Sequence, residues 1–522
     1  MLRRISFALT ASMILFSLCA MAQQKNRPAP TPAASPVEQA KPAASAAADG
    51  KKDTEQPPVI THHEIHVGGK SLHYTATTGM MPLRNNDTGE VEAHIFYVAY
   101  TLDGQSPEHR PLTFSFNGGP GSASVWLHMG AIGPKRVPMQ PNGMMPPPPY
   151  HLIDNEQTWL DQTDLVFIDP VGTGYSRAVK RDETKKFIGL RNDIASVGEF
   201  IRLYLGRYER WSSPLFMVGE SYGTTRAAGL SGYLVEHGIA FNGIMLISSI
   251  LNFQTTDESP GNDLPYILFL PTYSSAAWYH KKLAPEYEQN FEKLRAEVEQ
   301  WAAGPYADAL AKGDRLTPQE RQDVIDHLAR YTGLSKTYID ESNLRIEESH
   351  FTKELLRDQK LTIGRLDSRF TGTSSSAVGE EASFDPSMSA IRPPYTAMFN
   401  QYVRSELGYK SDLEYYILGG GFRFDEWDWG VQFGGFPDTA RSLKDAFDKN
   451  PFMKLFVGSG YFDLATPYFA TQYTLNHMNL NQAQHERVTL GYYGAGHMMY
   501  IQDSSLAELK KDVSAFIANA LK

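Results

Sequence analysis

The chain has 522 residues, 42% hydrophobic and 12% aromatic, with a formal net charge of -10 at pH 7. That length can bury a large core, as several domains or as one large α/β unit with an insertion. The acidic balance argues against a nucleic-acid binder, which carries a basic stripe, and otherwise bears on solubility and steering rather than on substrate.

The N-terminus reads as a targeting segment. Arg3 and Arg4 precede an apolar run from Ile5 to Ala20, and Ala20-Met21-Ala22 offers a cleavage site before Gln23. The run is short for a membrane span and polar sequence follows it. Residues 1–22 are therefore expected to be a signal peptide. The mature chain is expected to be periplasmic or secreted, with no stable membrane insertion. Cys19 is the single cysteine, and bulky Leu18 before it argues against lipid attachment. Cleavage after Ala22 leaves no cysteine, so neither a disulfide nor a thiol catalyst is expected. Residues 23–58 are mostly Ala, Pro, Lys and Gln, a composition that cannot bury a core and reads as a disordered linker.

Folded sequence is expected from Val59. Alternating segments Glu64 to Val67, Leu72 to Thr77 and Val91 to Tyr100 read as antiparallel strands. Leu112 to Phe116 and Leu165 to Ile168 are short apolar runs ending at Gly/Pro-rich turns. Asp193 to Gly206 has helical spacing, and Leu215 to Val218 and Gly243 to Leu251 read as strands. Strand and helix alternating in this way predict an α/β fold with a mostly parallel sheet, its first part spanning 59–252. From 253 to 390 the pattern changes. Pro285 to Ala303, Pro318 to Tyr331 and Arg345 to Leu361 are charged amphipathic helical stretches, and Phe370 to Pro386 is a polar loop. This predicts a helical lid insertion. Lys454 to Val457, Val488 to Tyr493 and a final helix from Leu506 to Leu521 then belong to the second part of the core, 391–522. No internal repeat is present.

The chemistry concentrates in three places. Gly219-Glu220-Ser221-Tyr222-Gly223 directly follows the apolar run Pro214 to Val218 and precedes small residues able to open a helix. Strand, sharp turn and helix are the context of a nucleophile elbow, which lifts a serine hydroxyl out of the sheet edge. That hydroxyl needs a base, and the base needs an orienting acid, following in the order Asp then His. Asp463 follows the strand-like Phe456-Val457-Gly458-Ser459-Gly460 run, and His497 sits in Gly494-Ala495-Gly496-His497-Met498; both are at glycine-rich strand ends. Phe116-Asn117-Gly118-Gly119-Pro120-Gly121-Ser122 exposes backbone amides. It can supply one oxyanion donor while the Tyr222 amide supplies the other. Two other features carry less. His62-His63-Glu64-Ile65-His66 lacks zincin spacing, so no metal site is expected. The aromatic run Phe422 to Trp429 reads as packing rather than a substrate cleft.

Asn117-Gly118-Gly119-Pro120-Gly121, Gly133-Pro134, Asp169 to Ser176, Gly219 to Gly223 and Gly494 to Met498 resemble the signature blocks of the serine carboxypeptidases, in the family's order from about 112 to 500. The resemblance implies an α/β-hydrolase fold with a helical cap. It implies removal of C-terminal residues from peptides, often best at acidic pH, without metal or cofactor. By matching positions it implies Ser221, Asp463 and His497 as the triad, and the Gly119 and Tyr222 amides as the oxyanion hole. It also implies Asn117 and Glu220 as the network that binds the substrate carboxylate. Glu220 suits that task physically, since two carboxyls in contact share a proton rather than both ionising. The chain departs from the family at Ser115, where Trp is usual, and at Ala131, where a second Glu is usual. Lys135 and Arg136 follow Gly133-Pro134 and read as a solvated basic pair. The expected function is therefore an exported serine carboxypeptidase acting on peptides. An esterase, acyltransferase or endo-acting peptidase on the same fold stays open, as does an inactive binding protein.

Overall fold

A computed structural model describes residues 55–431 and 434–522; the signal peptide and most of the linker expected from the sequence lie outside the described residues. Nine strands carry the architecture: Val59–Val67 (β1), Lys70–Arg84 (β2), Val91–Leu102 (β3), Leu112–Phe116 (β4), Asp164–Ile168 (β5), Leu215–Ser221 (β6), Gly243–Ser249 (β7), Lys454–Gly460 (β8) and Val488–Tyr493 (β9). They lie in the order β1-β2-β3-β5-β4-β6-β7-β8-β9, with the two-residue strand Arg177–Ala178 beside β3. The pairs β1–β2, β2–β3 and β3–β5 are antiparallel, and every pair from β5 to β9 is parallel.

Alternation along each strand builds two cores. In β3, Phe96, Val98 and Tyr100 join one buried cluster while Ile95, Tyr97 and Ala99 join the other; in β6, Phe216 and Val218 face one way and Leu215 and Met217 the opposite way. Both faces are buried, which is why the parallel strands are continuous apolar runs. Leu190–Arg207 (α1), Tyr222–Glu236 (α2) and Ala440–Lys449 cover one face, while Pro386–Ser405 and Asp503–Ala520 cover the other. The strand order reverses between β4 and β6. The chain leaves β4 toward β5 and leaves β6 toward β7, opening a crevice at the carboxyl ends of the two neighbouring strands.

Between β7 and β8 the chain forms a helical segment with its own core. Tyr273 from Leu264–Tyr279 (α3), Val298 from Phe291–Trp301 and Leu328 from Pro318–Thr332 are buried in it together with Ile363. The last of these helices shows how sequence sets the ends. Thr317 caps it, its hydroxyl accepting from the Glu320 amide at 3.3 Å while the Glu320 carboxylate accepts from the Thr317 amide at 2.9 Å. Pro318 occupies its first turn, and Gly333 (φ 70°) closes it in the left-handed conformation. Strand order, parallel register and flanking helices make this the α/β-hydrolase fold.

Candidate active site

The elbow forms where β6 ends and α2 begins. Ser221 has φ 59° and ψ -133°, a strained conformation for a residue with a side chain. Tyr222 opens α2, so its amide is among those without an intrahelical partner. Thr224 donates to the Ser221 carbonyl at 2.7 Å. The Asn117 loop packs directly on this turn. A Cβ at Gly118 would stand 2.6 Å from the Gly223 amide nitrogen, so the close approach admits no side chain. The Asn117 carbonyl accepts from Arg226 Nη1 at 2.7 Å, and Arg226 Nε donates to Asp193 at 2.8 Å. Asp193 also accepts from the Tyr222 hydroxyl at 3.0 Å. This buried ion pair ties α1, α2 and the Asn117 loop into one unit.

Asp463 and His497 meet at the ends of β8 and β9. Nδ1 of His497 lies 2.7 Å from Asp463 Oδ2, and both side chains are buried. With Asp463 as the carboxylate, the Nδ1 proton donates to it, which leaves Nε2 free as an acceptor. Asp463 is held in turn by the amides of Ala465 at 2.8 Å and Thr466 at 3.0 Å, and by the Thr466 hydroxyl at 2.7 Å. Burial works against a charged His497, but the Asp463 carboxylate outweighs it and moves the pKa above its ordinary value. The His497 carbonyl accepts from Ser248 Oγ at 2.6 Å, where a register shift in β7 and a positive φ of 52° aim that hydroxyl.

Glu220, beside the serine, is 3% exposed. Its Oε1 accepts from Asn117 Nδ2 at 2.9 Å, and Asn117 Oδ1 accepts from the Leu127 amide at 3.1 Å. The buried Tyr500 hydroxyl also faces this carboxyl. Burial pushes the Glu220 carboxyl up to about 7, against the pull of His497 and of its polar neighbours. A carboxyl in that state carries a proton that it can share with a second carboxylate.

Asn117, Gly119, Glu220, Ser221 and His497 line one pocket of about 170 Å³, walled on its apolar side by Trp126, Met388, Ile391 and Leu418. Among its described lining residues Arg365 is the lone lysine or arginine. Lys135 and Arg136 are turned elsewhere, Lys135 to Asp154 at 2.7 Å and Arg136 to Asp503 at 3.2 Å. Ser115 is buried with an unpartnered hydroxyl, and Ala131 lies in a buried π-turn. The 422–429 run packs at the elbow, with Trp427 edge-on to Tyr222 at 5.3 Å. Among the described residues no group of three or more His, Cys, Asp or Glu has metal-binding geometry, and none of their helices is long and apolar enough to cross a membrane.

Thr466, Ser248 and the Asp193–Arg226 pair escape the sequence reading. Thr466 has a local signal, a hydroxyl three residues after the acid, which suits a turn that caps a carboxylate. The others act across long sequence separations and leave no local signature.

A family model described as serine carboxypeptidase matches residues 70–407. Serine carboxypeptidase-like 7 of Arabidopsis thaliana is 28% identical over 139 residues, covering 26% of this chain and 30% of that protein. Pheromone-processing carboxypeptidase KEX1 of Saccharomyces cerevisiae is 32% identical over 158 residues, covering 28% of this chain and 20% of that protein. These alignments therefore span less than a third of the curated relatives' length. A solved proline iminopeptidase from Mycobacterium smegmatis aligns over 85% of this chain and 99% of its own, with 13% identity and a TM-score of 0.34.

Proposed function

Because the chain belongs to the serine carboxypeptidase family, we propose that it is an exported serine hydrolase that releases C-terminal residues from peptides through an acyl-enzyme on Ser221. The observation that carries this is the meeting, in one pocket, of Ser221 and His497 with the buried Glu220–Asn117 pair. Ser221 Oγ attacks the scissile carbonyl carbon and passes its proton to His497 Nε2. The Gly119 and Tyr222 amides receive the oxyanion. As the C–N bond breaks, His497 returns the proton to the departing amine. Water then attacks the ester by the reverse route, releasing the shortened peptide and free Ser221. Asp463 holds the imidazole tautomer. Glu220 and Asn117 bind the terminal carboxylate through the Glu220 proton and the Asn117 amide.

Two measurements test this. A fluorophosphonate is expected to label native protein stoichiometrically at Ser221 and not to label Ser221→Ala; an unlabelled native protein leaves only a binding role. One peptide, offered as free acid and as C-terminal amide, is expected to be cleaved far faster as the acid. Equal rates would instead favour the second reading, an esterase, acyltransferase or endopeptidase, to which the altered Ser115 and Ala131 positions lend support. Export predicts a mature N-terminus at Gln23, read by mass spectrometry of protein recovered outside the cytoplasm.

A further inference from the structure

One short stretch of the helical segment between β7 and β8, residues 365–370, touches both loops at the end of the sheet. On the Asp463 side, the Leu464 amide donates to the Arg365 carbonyl at 3.0 Å, and the Ser368 amide donates to the Phe462 carbonyl at 2.9 Å. On the His497 side, the His497 amide donates to the Leu366 carbonyl at 2.6 Å, and the Gly496 amide donates to Asp367 Oδ2 at 3.1 Å. Arg369 Nη1 donates to the Gly494 carbonyl at 2.9 Å.

Two charged side chains anchor this stretch. Arg369 Nε and Nη2 donate to the Asp367 carboxylate at 2.9 and 2.6 Å, and the two residues are 8% and 2% exposed. The fit is close, since a Cβ at Gly496 would lie 2.5 Å from both Asp367 Cβ and the Leu366 carbonyl oxygen. The stretch is also fixed behind. His280, just past α3, has its Nε2 2.7 Å from the Ser368 carbonyl, and Leu464 is buried in the helical segment's own core. Arg365, at its near end, lines the Ser221 pocket.

The loop carrying His497 has Gly494 and Gly496 before the histidine, and glycine restricts its own backbone least. A misplacement of about 1 Å at a reacting group costs about a hundredfold in rate. We propose that residues 365–370 form a positioning strap, in which Asp367 and Arg369 act through the Gly494–His497 backbone to hold the imidazole between Asp463 and Ser221. The insertion then completes the triad geometry as well as lining the pocket. This inference rests on the reading of His497 as the base.

The test uses full-length protein with Asp367→Ala, Asp367→Asn and Arg369→Lys. The readouts are kcat and KM on a free-acid peptide, the rate of fluorophosphonate labelling, the melting midpoint, and the downfield proton resonance of His497 Nδ1–H. Asp367→Ala is expected to lower kcat about tenfold to a hundredfold, to leave KM within about twofold, to slow labelling by the factor seen in kcat, and to shift or broaden the resonance. Asp367→Asn keeps an oxygen for the Gly496 amide and is expected to recover part of the rate. Native kcat and labelling in a folded Asp367→Ala protein overturn the proposal, whatever its melting midpoint. A rise confined to KM also overturns it, because it marks a substrate contact instead. Should Asp367→Ala fail to fold, Arg369→Lys decides by the same split. Failure of the functional reading shows separately, as native protein that neither labels nor cleaves, and the resonance still reports on the strap.

Discussion

Glu220 and Asn117 are 103 positions apart in the chain and 2.9 Å apart in the fold. Their proposed role makes the site a proton-dependent receptor. Burial holds the Glu220 proton up to about pH 7, so affinity for a free-acid peptide is expected to fall as pH rises through that value. Glu220→Gln, which cannot lose a proton, is expected to bind more weakly but with a flat profile between pH 5 and 8, measured as competitive inhibition by a non-cleaved peptide acid. As the proposed base His497 must be neutral, and burial beside the Asp463 carboxylate leaves its pKa above the ordinary 6.5. Turnover is therefore expected to rise as His497 loses its proton, above pH 6.5, while binding falls, so that kcat/KM is bell-shaped. Glu220 also bears on stability. A carboxyl whose folded pKa is raised contributes fully below its ordinary value of 4.5 and loses that contribution as pH climbs toward about 7. Glu220→Gln is thus expected to gain stability relative to native protein across that interval, by up to about 1.4 kcal/mol per pH unit, followed by urea titration. The residue types were legible in the sequence because they sit inside motifs. The resemblance also implied that they act together; the direct hydrogen bond between them was not legible, because a contact across 103 positions is set by which strands lie side by side.

At the scale of elements, the turn between β6 and α2 stores strain at Ser221, whose φ of 59° disfavours any residue with a Cβ. In an ordinary helix or strand Ala is more stable than Gly by about 0.5 to 1 kcal/mol. Here the order is expected to reverse, with Ser221→Gly melting at or above Ser221→Ala, as differential scanning calorimetry would measure. The elbow itself was legible, since Gly-x-Ser-x-Gly after an apolar run admits few other geometries. The supports around it were not. The Ser248 hydroxyl reaches the His497 carbonyl through a shift in strand register, and no periodicity in the sequence announces a one-residue bulge. Strand order was equally hidden. The apolar runs of β4 and β5 say that both are buried, yet nothing in them says that β5 lies outside β4.

Across the whole molecule, buried and part-buried acids give the fold a pH preference. Burial lifts Asp169 to about 6, Glu348 to about 7 and Glu258 to about 8, as it lifts Glu220. Each keeps its proton in the folded chain where the unfolded chain has lost it. Their contribution is therefore complete below pH 3.8 for the aspartate and 4.5 for the glutamates, and it drains away as pH rises through 6 to 8. The doubly substituted Glu258→Gln, Glu348→Gln protein is expected to lose less melting temperature than native protein between pH 5 and 8.5.

The exposed polar stretch between Thr371 and Asp385 has a consequence of another kind. A chain severed there falls into two pieces that each hold part of the chemistry, Asn117, Glu220 and Ser221 on the first, Asp463 and His497 on the second. Five aligned residue pairs between β7 and β8 and the strap contacts would draw the halves together. Neither fragment alone holds the full set of candidate site residues, so each is expected to be inactive, and activity is expected to return when the two are mixed and these contacts re-form.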